Sequence, residues 1–211
     1  MTRTFIAIPS IGICDTRFAI SLAALKKPVG TAIAASSRSM PDVARNGLFD
    51  QAVKFLYDYV FFLDDDMILD ANALVSLQEK MDKDVSIDAL SLLAFRRHPP
   101  FLPCVMQKAG DGYEPIEELE GEIVHVDAMH FAATMVRVSS LQKVAAPRFQ
   151  FKHEDTISGE DLVLSKKMKA LNLRLCCDLS LPEALHIGLP PLIGRKAFEG
   201  SRRQESRLIV P

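Results

Sequence analysis

The chain has 211 residues, 48% of them apolar, and a formal charge of −2. That length buries one sizeable core and forces no second domain, and the charge leaves no basic excess for nucleic-acid phosphates. The longest apolar stretches, around Phe18–Leu25 and Ala89–Phe95, are too short to span a bilayer, and Met1–Ile8 opens into a strand pattern without a signal-peptide core, so a cytoplasmic protein is expected.

Thr4–Pro9 reads as a first strand buried on both faces. Asp15 is placed to cap a helix running to about Lys27, which Pro28 and Gly30 end. A second strand follows over Val29–Ala35. Ser39, ahead of Pro41, predicts the cap of a second helix reaching about Tyr57. The aromatic and β-branched run Tyr59–Leu63 is a third buried strand. A helix over Asn72–Lys83 and a strand over Ile87–Phe95 complete a strand–helix alternation that predicts a mostly parallel α/β sheet covered on both faces.

After Phe95 the texture changes. Residues 96–112, with His98-Pro99-Pro100 and Pro103, read as a long loop over the sheet edge, and loops of that length in a compact domain are usually functional. Strand-like runs at Glu122–Val126 and Phe131–Val138 predict a small antiparallel section. Ser158 is placed to cap a helix ending near Leu171, and Leu173–Cys177 is a last strand. From Gly188 the chain loses apolar period and carries Arg195, Lys196, Arg202, Arg203 and Arg207. The expected organisation is therefore one domain over 1–188, in halves 1–95 and 96–188, with a basic tail over 189–211. Cys14, Cys104, Cys176 and Cys177 lack metal-ligand spacing. The adjacent pair points to opposite strand faces, which suits packed thiols better than a disulfide.

The chemistry concentrates where the third strand ends in Asp64-Asp65-Asp66. The carboxyl ends of strands are where α/β sheets place ligands, and alternation lets Asp64 and Asp66 share a face while Asp65 points away. Two like charges about 5 Å apart repel by roughly 3 kcal/mol at an effective dielectric of about 20. A cation belongs between them, and a hard divalent metal is the natural one. Glu160-Asp161 opens the late helix, where negative charge is favoured and where a carboxylate facing a metal across a cleft could deprotonate a hydroxyl. His186, just past the last strand, is a candidate further ligand, and a carboxylate–imidazole mixture suits Mn²⁺. Arg38, Arg45 and Asn46 sit where the second strand gives way to its helix, with arginine shaped for phosphate. Asp127 and His130 are candidates for lining the same cleft. His125 and His153 carry no signal. No P-loop or dinucleotide fingerprint is present.

The order of these motifs resembles the GT-A glycosyltransferases, close to the family-2-like enzymes and the small glycosyltransferase-like proteins of phage and bacteria. It is carried by the first strand ending in Pro9, Ala44-Arg45-Asn46, Phe62-Leu63-Asp64-Asp65-Asp66, Gly159-Glu160-Asp161 and His186. The resemblance implies a single Rossmann-like GT-A domain that transfers a sugar from a nucleoside-diphosphate sugar to an acceptor hydroxyl. Asp64-Asp65-Asp66 is similar to the family's DxD element, with Asp64 reaching ribose or metal and Asp66 binding Mn²⁺ or Mg²⁺ at the diphosphate. His186 resembles the C-terminal metal or diphosphate ligand, and Asp161 the base of inverting members, supported by Glu160. Pro9 and Ser10 would border the base pocket and Arg45 would approach the diphosphate, with Asp127 and His130 on the acceptor side. The chain departs from the family in having no tryptophan, so the Gln-x-x-Arg-Trp acceptor motif is missing and processive synthesis is not expected. Two alternatives are a haloacid-dehalogenase-like phosphatase using Asp64 as nucleophile and Asp66 as acid, and a non-catalytic nucleotide-sugar-binding or assembly protein of the same shape.

Overall fold

A computed structural model describes residues 2–153, 156–157, 159–188 and 192–200. The first half runs β1 (Thr4–Ile8), α1 (Thr16–Ala24), β2 (Ala32–Ala35), α2 (Pro41–Lys54), β3 (Tyr59–Leu63), β4 (Met67–Ile68), α3 (Ala73–Lys83) and β5 (Ala89–Leu92). The second runs β6 (Val105–Ala109), β7 (Gly112–Pro115), β8 (Ile123–His125), β9 (Ala128–Met129), β10 (Ala133–Arg137), α4 (Val138–Leu141), β11 (Lys152–His153), β12 (Thr156–Ile157), α5 (Glu160–Ala170), β13 (Leu175–Asp178), β14 (Leu185–Ile187) and β15 (Leu192–Ile193). The main sheet has the order β2-β1-β3-β10-β5-β13-β8. β2, β1, β3, β5 and β13 run parallel, with β10 and β8 antiparallel to their neighbours.

The alternation along β3 organises the molecule. Val60 and Phe62 face one core layer, with Leu48 and Phe49 of α2, Phe131, Phe149 and Leu164 of α5. Tyr59, Phe61 and Leu63 face the other, with Phe18 of α1 and Leu74, Leu77 and Met81 of α3. The period of two puts Asp64, the next residue, on the α2–α5 side. In β13, Cys177 lies in the first layer and Cys176 in the second, and all four cysteines are free thiols. No helix among the described residues is long and apolar enough to cross a membrane.

Several local expectations are corrected. α1 does begin at the Asp15 cap, whose carboxylate accepts from the Arg17 amide, but it stops at Ala24. The Lys26 amide turns away to the Ala71 carbonyl instead. The α2 cap is Met40, without a side-chain bond, because Pro41 takes the first helical position; the Ser39 hydroxyl donates to the Ser37 carbonyl. Ser158 lies outside the described residues, and Gly159 holds the cap position of α5. Residues 96–112 are not one loop. Phe95 bridges Pro103, and β6 then pairs with both β7 and β9. Its sequence, Val-Met-Gln-Lys-Ala, is apolar only at its start, which hid the strand. Residues 192–200, read as tail, fold back. β15 pairs with β14, residues 195–200 are helical, and buried Phe198 packs on Phe95 at 5.5 Å between ring centroids.

Candidate active site

The end of β3 delivers its acids to two different places. The Asp64 amide donates to the Ala132 carbonyl at 2.8 Å, tying the strand end to the entry of β10. Its carboxylate, on the α2 side as the alternation requires, accepts from Arg45 Nη2 at 2.8 Å. Arg45 is only 3% exposed. Its Nη1 donates to Glu160 Oε1 and lies 3.2 Å from Asp161 Oδ1. One buried guanidinium from α2 thus joins the strand-end acid to both acids opening α5. Burial works against that charge, but the fields of Asp161, Asp64 and Glu160 outweigh it and raise the Arg45 pKa. The Phe149 ring lies 5.7 Å from the guanidinium.

Three carboxylates around one cation leave negative charge uncompensated. Burial, and then the neighbouring Asp161 charge, raises the Glu160 pKa. Burial is also the largest influence on Asp161, whose pKa rises although Arg45 opposes it. Asp161 Oδ1 accepts no aligned hydrogen bond in spite of its ion-pair distance to Arg45. His130 Nδ1 stands 3.6 Å from Asp161 Oδ2. Burial, then Arg96, holds that imidazole down at about 4, so at neutral pH it is a neutral neighbour of the acid and not an ion-pair partner.

Asp66 faces elsewhere. Its Oδ2 pairs with Arg97 Nη1 at 2.9 Å, and its Oδ1 is 3.9 Å from His186 Nε2. The β14–β4 ladder sets this meeting: His186 lies opposite Met67, and the Ile187 amide donates to the Asp66 carbonyl at 2.8 Å. The contact between His186 Nδ1 and the Phe95 carbonyl requires a proton on Nδ1, so Nε2, on the Asp66 side, is the nitrogen a metal could take. Two donors each about 2.1 Å from one cation stand at most about 4.2 Å apart, so the 3.9 Å between Asp66 and His186 lies within the span of one divalent ion but wider than the spacing of adjacent ligands. They would be an edge and not a cage, since no group of three or more His, Cys, Asp or Glu among the described residues is arranged to hold a metal. The remaining ligands would have to be phosphate oxygens and water, as is usual for Mg²⁺ at a phosphate site.

The other expected residues distribute unevenly. Asp65 is half-buried, with Oδ2 enclosed and unpartnered. Pro9 and Ser10 follow β1, half-buried, and the Ser10 hydroxyl accepts from the Gly12 amide at 3.0 Å. Arg38 is exposed, with a left-handed φ of 55°. Asn46 is occupied with backbone. Its amide donates to the Asp42 and Phe149 carbonyls, both at 2.8 Å, and its oxygen accepts from the Arg148 and Phe149 amides at 3.0 and 3.2 Å. It therefore pins the segment that brings Phe149 to Arg45. Asp127 and His130 are not brought together on Asp161. Asp127 accepts from the Lys108 amide at 2.9 Å and pairs with Lys169 at 2.9 Å, beside a separate cavity of about 600 Å³. Arg97, which pairs with Asp66, has no motif of its own in the sequence beyond its place in the segment 96–112 expected to be functional.

No family model matches the chain, and no curated protein sequence matches it. Solved structures do. The chain is similar to A197 from STIV, with a TM-score of 0.64 at 20% identity over 88% of this chain and 85% of that one. It is also similar to S. aureus TarS 1-349 in complex with UDP, with a TM-score of 0.56 at 16% identity over 87% of this chain and 59% of that one. A second structure of S. aureus TarS 1-349 gives a TM-score of 0.54 at 17% identity, with the same coverage. The fold is GT-A-like. The chain spans 59% of the length of the TarS fragment it matches.

Proposed function

We propose that the protein is a metal-dependent glycosyltransferase that moves a sugar from a nucleoside-diphosphate sugar to an acceptor hydroxyl with inversion. The observation that carries this reading is the pair of clusters where the chain leaves β3: Asp64 joined through Arg45 to Glu160 and Asp161 of α5, and Asp66 facing His186 of β14. The likeness to a UDP-bound GT-A-like structure supports a nucleotide at that edge. Asp66 and His186 would hold Mn²⁺ or Mg²⁺, which when bound offsets the charge of a departing diphosphate. Asp161 acts as base. The acceptor oxygen bonds to the anomeric carbon, the bond from that carbon to the diphosphate oxygen breaks, and the acceptor's proton passes to a carboxylate oxygen of Asp161. A carboxyl raised in pKa by burial is a stronger base than one in water, which suits that task. Arg45 holds Asp161 and Glu160 in place, and neutral His130 borders the acid without competing for its charge.

The test is a thermal-shift panel of nucleoside diphosphates with and without Mn²⁺. One base should be preferred, with stabilisation of about 2.7 kcal/mol at a hundredfold excess over the dissociation constant. Asp66→Ala should remove the Mn²⁺-dependent part while the unliganded fold melts as before. A variant with undiminished Mn²⁺-dependent binding would refute the assignment of Asp66.

A further inference from the structure

The cavity of about 600 Å³ lies apart from the converging acids, and its walls have a chemistry of their own. α5 forms one wall. Asp161, Leu164, Ser165 and Met168 are buried on the interior side, while Leu162, Lys166, Lys169 and Ala170 line the cavity, with buried Val163 at its base. The β6–β7 hairpin forms the facing wall, where Lys108 stands directly across the ladder from Tyr113 and so on the same face. Asp127 joins the walls: one oxygen accepts from the Lys108 amide and the other pairs with Lys169, each at 2.9 Å. Those contacts, the backbone one foremost, hold its carboxyl below the usual range, so it stays ionised and matched to Lys169. Asp111, on the hairpin turn, is the second lining acid.

The lining carries three lysines and two aspartates, of which Lys169 and Asp127 pair with each other. The volume is in the range of small-molecule sites. Beside the ammonium groups stand a half-buried phenol ring, the apolar side chains Leu162 and Val163, and carboxylate acceptors. An anion alone needs only the lysines. A sugar ring bearing an anion uses every element: its C–H face would lie against Tyr113, a hydroxyl would donate to Asp111, and its phosphate or carboxylate would meet the lysine ammonium groups. We propose that the cavity between α5 and the β6–β7 hairpin is a second ligand site, for a sugar carrying a phosphate or carboxylate group. This proposal does not depend on the glycosyltransferase reading.

Calorimetric or NMR titration of the full chain with a hexose 6-phosphate, a hexuronate, inorganic phosphate and a neutral hexose tests it. At least one sugar anion should bind fivefold or more tightly than both inorganic phosphate and the neutral hexose. Substituting Lys108→Ala and Lys166→Ala together, at two exposed positions, should weaken that binding tenfold or more. Tyr113→Ala should weaken the sugar anion and leave inorganic phosphate unchanged, with Tyr113→Phe behaving as wild type. Equal affinity for phosphate and sugar phosphate, indifference to these variants, or no binding of any probe at millimolar concentration would overturn the site. Binding of UDP with Mn²⁺ in the same variants should match wild type, which separates failure here from failure of the proposed activity.

Discussion

Asp64 and Asp66 are two residues apart on one strand end, yet they live in different physical settings. Asp64 turns inward to a guanidinium that is 3% exposed and already holds two acids from α5. Asp66 turns outward to Arg97, whose side chain keeps 54% of its surface in solvent, and to an imidazole lying 3.9 Å away. The first setting is built into the fold, because removing its cation would strand buried charge. The second is open and exchangeable, because its partner can leave into water at little cost. The difference teaches which acid organises the site and which one is available to a ligand.

The comparison breaks hardest at Arg45. Arg45→Met would leave Asp64, Glu160 and Asp161 without their shared cation, and breaking a buried pair by removing one partner typically costs about 3–5 kcal/mol. Chemical denaturation should show a loss of that order, and Arg45→Lys should recover only part of it, because one ammonium cannot fork between two acids. A loss below about 1 kcal/mol would mean that the acids re-solvate freely and the hub is not structural.

Asp161 separates function from stability. Asp161→Asn keeps shape but removes the basic oxygen, so transfer should fall by about 10² to 10⁴ while Mn²⁺-dependent donor binding persists. Stability should move the other way. The folded pKa of Asp161 is raised above the unfolded one, so its contribution is favourable below the unfolded carboxyl pKa and is lost as pH rises through the folded value. Above the folded pKa the ionised group therefore destabilises, and there Asp161→Asn should melt higher than wild type, with the gap closing as pH is lowered toward about 4. The wild-type transfer rate should rise with pH through the same folded pKa. Near-normal turnover in Asp161→Asn would remove it as base.

Much of this was legible in the chain. β3 could be read from Tyr59–Leu63, and the side on which Asp64 leaves it follows from the alternation. The expected shared face of Asp64 and Asp66 does not hold, because the strand ends at Leu63 and the chain turns, with the Met67 amide donating to the Asp64 carbonyl, so Asp66 faces Arg97 and His186 instead. The Asp15 cap and the opposed faces of Cys176 and Cys177 were also plain, because each depends on neighbours in sequence. Pairings across long separations were not. Arg45 meets Glu160 over 115 residues, and His186 reaches Asp66 only through a three-residue strand paired to a two-residue one. Such short strands carry too few residues to show a period. Asn46 illustrates the same limit. Its side chain reads as a phosphate contact beside two arginines, but backbone groups more than 100 residues away consume its hydrogen bonds.

The smallest expected effect tests the open half of the comparison. Arg97 competes with any cation for Asp66, because its Nη1 holds Oδ2 at 2.9 Å. Exposed pairs of this kind contribute about 0.2–1 kcal/mol, so Arg97→Ala should tighten Mn²⁺ binding to nucleotide-free protein by only about 1.5- to 5-fold. The gain should shrink as salt is added, since screening already weakens the pair in wild type. Mn²⁺ titration followed by electron paramagnetic resonance reads this directly. In the presence of nucleoside diphosphate the sign should reverse, because a displaced guanidinium beside the metal edge is shaped for phosphate oxygens, and its loss would then weaken binding. An Arg97→Ala variant with weaker Mn²⁺ binding in both conditions would show that Arg97 positions Asp66 for the ion and does not compete with it.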